Sequence, residues 1–489
     1  MMPPFTTERH SKIPAVESNT QIDPNLIFIL AFISGACSLL VEIAGARAFY
    51  PYLGNTIFTW AGNIAVVLGF LTLGYWYGGR SADRNKSPAQ LANFMFLAAL
   101  ATAVVPWLAF AFGPLAMALP IQIASILLPL ILAPASFFYG TFCPYAIKLS
   151  SKGGQEGSGS GNIFSISTFG SIVGVLVTAF IMVPNMELRD VFLLASLVMA
   201  ASSFVLYRER IRYIDALMLV FILVFSLMFN LNPHFGDIVY QKNSPYALIT
   251  VTDMEFSGKP SRIMMLDNAF SSGEADGLPV FRYMYMTAYS FDLVKDPSRA
   301  LVLGTAAGNQ VEQLKRQYPL LHVDTVDIDP DAVETGIRFF SLQEDNRTDI
   351  IIDDARRFIS LSNKTYDLII VDTFRSNSPP PHLATVEFVR SLKSRTRPGS
   401  VIAVNLIARL EKGGGYLQYV YDTYRSQFKN VYLFPSGDEG ERQNVVLIAT
   451  DEDDLGFEEK YADKIYPMQY DPQKILTDSK NPVELLSAG

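Results

Sequence analysis

Ala300-Leu-Val-Leu-Gly304-Thr-Ala-Ala-Gly308-Asn309 is an apolar run that stops at a glycine, crosses three small residues to a second glycine, and opens into a segment of helical periodicity. The pattern predicts strand, tight turn, helix. Small side chains let a ligand approach the turn backbone and the positive end of the helix. Gly304 and Gly308 are therefore candidate binding positions, although Gly-x-x-x-Gly is equally the pattern of a bare turn.

The pattern repeats outward. Strands are expected at 299–303, 322–327, 349–352, 367–371 and 400–406, alternating with helices at 308–317, 330–340, 354–361 and 384–394. Such alternation predicts a mostly parallel sheet covered by helices on both faces, with ligands at the carboxyl ends of the strands. Acids stand at those ends. Asp327 closes the second strand 23 residues after Gly304, where a carboxylate can accept hydrogen bonds from both ribose hydroxyls. Asp329, followed by Pro330, reads as a helix N-cap. Asp353-Asp354-Ala355-Arg356 follows the third strand, where a carboxylate can accept from an adenine amino group, and Asp372 ends the fourth, placed to serve a base or an amine ligand. Each acid alone could be a cap; together they favour a nucleotide site.

Upstream, Tyr246–Asp253 and Ile263–Leu266 read as strands around a Ser257-Gly-Lys-Pro260 turn, followed by a helix at about 279–294. The expected organisation is a polar tail at 1–24, a helical membrane domain at 25–232, a small β region with a linking helix at 233–298, the α/β domain at 299–455 and a C-terminal tail at 456–489.

The two halves differ in composition. Of 39 Lys/Arg and 47 Asp/Glu, residues 1–232 hold 12 and 10, leaving 27 and 37 for residues 233–489; the net charges are +2 and -10, summing to the chain's -8. This excludes a single soluble globule, a disordered chain and a disulfide scaffold. Cys37 and Cys143 cannot build a framework or a Cys-based zinc site, and no metal is expected. Without a basic excess, nucleic acid is not an expected partner.

Apolar segments at about 25–46, 56–79, 90–111, 119–146, 162–184, 189–207 and 213–231 are long enough to cross a bilayer, which takes roughly 20 residues. The fourth is interrupted by Pro134 and Pro144. A removable signal peptide is not expected, because the first apolar stretch follows a long polar tail. Arg9, Lys12, Arg80, Arg84, Lys86, Lys148, Lys152, Arg208, Arg210 and Arg212 fall in alternate loops, against Arg189 alone in the others. That bias puts the N-terminus inside and, with seven spans, residues 233–489 outside. Glu42 and Arg47 are ionisable groups within the first span: either functional, or a capping acid and a snorkelling arginine. Gly74-x-x-x-Gly78 and Gly170-x-x-x-Gly174 predict close helix packing, Gly153–Gly161 a flexible connector, and no inverted repeat is apparent.

Residues 245–450 resemble the polyamine aminopropyltransferase (spermidine synthase) family, and the first half resembles the membrane domain often fused to it in bacteria. The family's Ser-x-Tyr-Gln and Leu-Asp-Gly elements correspond to Ser244-Pro-Tyr246-Ala247 and Leu266-Asp267-Asn268. Its Val-Glu-Ile-Asp-Pro, Gly-Asp-Gly-Arg and Tyr-Asp-x-Ile-Ile-x-Asp correspond to Val326–Pro330, Asp353–Arg356 and Tyr366–Asp372, and its Leu-x-Pro-Gly-Gly loosely to Thr396–Ser400. The resemblance implies a Rossmann-like domain of the class I methyltransferase and spermidine synthase type. It implies aminopropyl transfer from decarboxylated S-adenosylmethionine to a small amine acceptor, with no tightly bound cofactor. In those roles Asp372 would be the base, Asp327 would bind ribose, and Asp354 and Ala355 would bind adenine. A homodimer is allowed, and the lipid bilayer is an expected partner in a multi-pass protein of the bacterial inner (cell) membrane.

The departures fall on the amine side. Ala307 stands where the family has an amine-binding acid, Arg375 where it has a second acid, and Ala247 where it has Gln; a Tyr-His-Glu is not visible around Tyr283–Met286. Arg375 would repel a cationic diamine, which disfavours putrescine. The loop Ser378–Thr385 would close over the site, with His382 either a proton shuttle or incidental. Two further functions fit the same residues: another transferase using S-adenosylmethionine, or a degenerate module that binds an adenosyl ligand or polyamine and regulates the membrane domain. Adenosyl donors are cytosolic, which opposes the loop-charge orientation.

Overall fold

The computed structural model describes residues 22–150, 156–207, 220, 236–267, 269–373, 380–410, 415–453, 456–483 and 486. The expected span at 213–231, the N-terminal tail, Gly153, Gly154, Asn268, Arg375 and Ser378 lie outside these residues, Val220 apart.

The first half is a helical bundle: α1 (Pro24–Leu53), α2 (Ile57–Arg84), α3 (Pro88–Ala103), α4 (Val105–Ala116), α5 (Ile121–Leu127), α6 (Ala133–Ser150), α7 (Glu156–Val177), α8 (Val183–Asn185) and α9 (Leu188–Tyr207). Asp23 caps α1 by accepting from the Asn25 amide at 2.9 Å, with Pro24 at the first helical position; Thr56 caps α2. Among the described residues, five helical stretches are long and apolar enough to cross a membrane, or six if α3 and α4, bent by 44°, count as one. The interrupted fourth segment runs through α5, a 3-10 turn and α6 as one stretch, Ile121–Ser150. Gly157–Gly161, expected as a flexible connector, instead begin α7, continuous with the apolar run after them.

The small-residue spacings pack as predicted. A side chain at Gly74 or Gly78 would overlap the backbone of Phe137 or Thr141, and one at Gly170 or Gly174 the backbone of Phe32 or Ala36. These contacts also fix direction. Gly62 meets Ser125 and Gly78 meets Thr141, so α2 and α5–α6 run parallel; Gly170 meets Phe32 and Gly174 meets Ala36, so α1 and α7 do too. Ser196 and Ser203 hydrogen-bond Ala99 and Ala92, so α3 and α9 are antiparallel. One end of the bundle thus holds Asn85–Ser87 and the Lys148–Asp83 ion pair; the other holds the turns after α1, α4 and α8.

The described residues of the second half form two sheets. The small one is β1 (Asp237–Asn243), β2 (Leu248–Phe256), β3 (Lys259–Leu266), β4 (Ala269–Ala275) and β5 (Leu278–Pro279), an antiparallel meander. The sequence had suggested only two of these strands. The expected helix at 279–294 resolves into α10 (Arg282–Thr287) and a 3-10 helix (Ala288–Leu293).

The large sheet has the order β11-β12-β10-β9-β6-β7-β8. Its parallel core is β6 (Arg299–Leu303), β7 (His322–Asp327), β8 (Thr348–Ile352), β9 (Tyr366–Val371) and β10 (Thr396–Arg409); β12 (Arg442–Thr450) lies antiparallel to β10 and to β11 (Asn430–Pro435). Alternate strand residues go to opposite faces, and both are covered. Leu301, Ile369 and Ile402 pack with α13 (Ala355–Leu361), α14 (Val386–Lys393) and α15 (Tyr416–Arg425). Ala300, Ile370 and Ala403 pack with α10, α11 (Asn309–Gln317) and α12 (Pro330–Phe339). The segment after α16 (Phe457–Lys460) docks on the domain: Leu476 is fully buried, its carbonyl accepting from Val386 at 2.8 Å.

The small sheet joins the bundle at the end bearing the turns. Asn243 donates to the Met186 carbonyl at 3.2 Å, and Arg47 of α1 donates to the carbonyls of Tyr246 and Ser244 at 3.2 and 3.3 Å. Arg47 therefore bridges to the β region, while Glu42 is buried and its own carbonyl accepts from Asn63.

Candidate active site at the strand ends

Because β9, β6, β7 and β8 are adjacent, their carboxyl ends bring Asp372, the Gly304 turn, Asp327 and Asp354 side by side. The turn needs its glycines. Gly304 has φ +96°, and a Cβ there would overlap the Asp372 carbonyl; Gly308 has φ +79° as N-cap of α11, against Leu342.

Asp327 is tied into this turn. Its Oδ2 accepts from the amides of Thr305 and Ala306, both at 2.9 Å, and its Oδ1 from the Asp329 amide at 2.9 Å. An ionised carboxylate has about four lone-pair sites. Three are in use, so the arrangement leaves room for one ribose hydroxyl rather than two. Asp329 caps α12 as predicted, and it also accepts from the Ser244 hydroxyl at 2.6 Å. Burial pushes its carboxyl above the usual range.

Asp354 does cap a helix, accepting from the Arg357 amide at 2.8 Å, and His382 Nε2 lies 3.3 Å from its other oxygen. His382 thus stands beside the third-strand acid. Ala355 is buried at the start of α13. Arg356 pairs with Asp478 of the C-terminal segment and donates to the His382 carbonyl at 2.9 Å, holding the His382 loop beside Asp354.

Asp372 has the most distinctive environment. Its Oδ1 accepts from Asn405 Nδ2 at 2.8 Å, and its Oδ2 from the Tyr283 hydroxyl at 3.0 Å. Asn444 donates in turn to Asn405 Oδ1 at 3.0 Å. Burial pushes the Asp372 carboxyl up to about 6; the two hydrogen bonds oppose this, and the Asp327 charge adds to it. The result is a fixed carboxylate, ionised at neutral pH, whose proton affinity suits general-base work.

Tyr283, Asn405 and Asn444 were missed in the sequence. Asn405 had a signal, as a polar residue within Val401-Ile-Ala-Val-Asn-Leu406. Ala307 is fully buried among Ile249, Met264 and Ala332, so the turn presents no acid there.

Among the described residues, His322, Asp324 and Asp349 have metal-like spacing. They sit at the opposite, starting ends of β7 and β8. Arg299 and Lys364 already pair with both aspartates. The cluster reads as an ion network rather than a metal centre.

The profile of the spermine/spermidine synthase domain family matches residues 283–433. The polyamine aminopropyltransferase of Vibrio vulnificus is 26% identical over 250 residues, covering 48% of this chain and 80% of that protein. Polyamine aminopropyltransferase 2 of Aquifex aeolicus is 22% identical over 395 residues, covering 76% of each, so this likeness reaches into the helical half. Among solved structures, spermidine synthase from Thermotoga maritima is 18% identical, with 49% of this chain and 82% of that one covered and a TM-score of 0.39. Human methyltransferase-like protein 13, in complex with SAH, is 21% identical, with 41% and 99% covered and a TM-score of 0.32. The match to the spermine/spermidine synthase domain thus lies in the C-terminal half of the chain, across α10 to β11.

Proposed function

We propose that this chain, with its spermine/spermidine synthase domain at 283–433, is a membrane-bound aminopropyltransferase using decarboxylated S-adenosylmethionine and an amine acceptor. The observation that carries the reading is Asp372, a carboxylate raised to about 6 and gripped by Tyr283 and Asn405 beside the Gly304 turn. In the reaction the acceptor nitrogen attacks the propyl carbon on the sulfonium. The C–S bond breaks, its electron pair returns to sulfur to give neutral methylthioadenosine, and the amine proton passes to Asp372. The leaving group is already good, so the protein's task is alignment and proton removal. Asp327 would hold a ribose hydroxyl, and Asp354 with Ala355 would flank the adenine.

The bundle would anchor this domain as an integral, multi-pass protein of the bacterial inner membrane. In support, five or six described helical stretches have the length and apolarity required. The β region docks at the end of the bundle away from Arg84, Lys86 and Lys148, which supports placing the catalytic domain on the non-cytoplasmic face. The donor would then have to be present on that face.

A second reading, a non-catalytic module that binds an adenosyl ligand, is favoured by the burial of Ala307 in an apolar cluster. Purified full-length protein incubated with decarboxylated S-adenosylmethionine and a panel of di- and triamines separates the two. Release of methylthioadenosine, lost in Asp372→Asn, supports the transferase. Binding of methylthioadenosine without turnover on any amine leaves only the second reading.

A further inference from the structure

Asn405 and Asn444 lie on the neighbouring antiparallel strands β10 and β12, whose register sets Asn405 opposite Val446 and Ile407 opposite Asn444. The two asparagines are therefore diagonal neighbours on one face of the sheet. Asn405 is 3% exposed, between Val404 and Leu406, which are fully buried. A side-chain amide has two ends of nearly the same shape, a carbonyl that accepts and an NH2 that donates. Packing alone does not choose between them, so the hydrogen bonds must.

The choice matters at Asp372. With Nδ2 towards it, as observed at 2.8 Å, the amide donates to Oδ1 and favours the ionised carboxylate. An inverted amide would turn Asn405 Oδ1 to the carboxylate, repelling the charged form and accepting from the protonated one. Asn444 decides between the two. Its Nδ2 donates to Asn405 Oδ1 at 3.0 Å, which keeps that oxygen off Asp372. Asn444 is itself fixed, because it lies in the β10–β12 ladder and its backbone carbonyl accepts from Ser436 at 2.9 Å. Among the described residues, the titratable groups acting on Asp372 are Tyr283 of α10 and Asp327 of β7, while the turn after β6 meets it through the Gly304 backbone.

We propose that Asn444 is a positioning residue, which fixes the Asn405 amide so that Asp372 stands ionised and aligned to take the acceptor's proton. The part in proton removal rests on the transferase reading above.

The test follows the proton on Asp372 directly, as the infrared absorption of its protonated carboxyl in full-length protein, with the matching Asp372→Asn variant as blank. Asn444→Leu is expected to raise the midpoint by about 0.5–1 pH unit, because a hydrogen bond to a charged group is lost or inverted in part of the molecules. Asn444→Asp keeps the shape, accepts from Asn405 Nδ2 and so enforces the inverted amide; it should raise the midpoint further. In an Asn405→Leu background, Asn444→Leu should add nothing, since the amide it acts through is gone. The acid limb of methylthioadenosine release should move with the midpoint, lowering kcat/KM below the limb by about three- to tenfold in Asn444→Leu. An unmoved midpoint in both Asn444 variants, or the same rise with and without Asn405, overturns the proposal. Midpoints that shift as expected in a protein releasing no methylthioadenosine with any amine defeat the transferase reading instead and leave the amide relay standing.

Discussion

The Tyr283 hydroxyl donates to Asp372 Oδ2 at 3.0 Å across 89 residues of sequence, tying α10 to the end of β9. The bond favours the ionised carboxylate, while burial disfavours it and wins, leaving the group at about 6. A base must be ionised to act. The rate constant kcat/KM should therefore rise with pH through about 6 and level off above it. Tyr283→Phe removes a donor to the charged form and should move this limb to higher pH. A limb that stays in place would show that the hydroxyl does not tune the base. Because the folded value is raised, the folded state keeps a proton the unfolded chain releases, so this group favours folding as pH falls through about 6.

Asp372→Asn keeps the shape and the Tyr283 contact but cannot take the amine proton. Transfer should fall by roughly 10²–10⁴-fold. Methylthioadenosine binding, followed by calorimetry on the full chain, should change by less than about threefold. Loss of binding in parallel with activity would make Asp372 a ligand-holding group instead.

Asp327→Ala leaves the amides of Thr305, Ala306 and Asp329 without their acceptor. Each unmade bond costs about 1–3 kcal/mol where water cannot replace it. Nucleoside affinity and the thermal midpoint should both drop, whereas Asp327→Asn, which retains one oxygen, should recover part of the midpoint. An unchanged midpoint in the alanine variant would remove the turn-holding role.

Gly304→Ala tests the turn from the other strand. It forces a Cβ into the Asp372 carbonyl at a φ of +96°. The conformation alone costs about 1–2 kcal/mol, and relief of the overlap displaces Asp372. Activity should fall further than the loss of folded protein explains, measured as turnover per folded molecule.

Orientation is read by reporters fused after Gly489. An alkaline phosphatase fusion should be active and a fluorescent-protein fusion dark. The opposite pattern would place the domain in the cytoplasm and reverse the loop-charge argument.

The large sheet was legible because both its faces are buried: strands such as Leu301–Leu303 and Leu368–Val371 read as unbroken apolar runs, and the first polar residue after them marks the strand end. Asp372 follows from that rule; Asp327 instead closes a strand that already carries Asp324 and Thr325, and Asp353 stands between β8 and Asp354. Tyr283 does not follow from it, because it reaches Asp372 only through the fold of a separate element, and its neighbours Met284 and Tyr285 give it no motif that marks it in sequence. β11 follows α15 and so continues the alternation beyond residue 406, where the expected strands stop, whereas β12 follows β11 directly with no helix between them. Asp327 was given two ribose hydroxyls because sequence shows the carboxylate and not the three amides already on it.

The Ser244–Asp329 hydrogen bond bears on how the protein can be dissected. A fragment cut at residue 299, where the parallel sheet begins, would lose the small meander and uncover an acid whose affinity for protons is set by being enclosed. The smallest excisable unit therefore begins ahead of β1, near residue 236, and a library of truncations should show a sharp fall in soluble yield once the start passes Ser244.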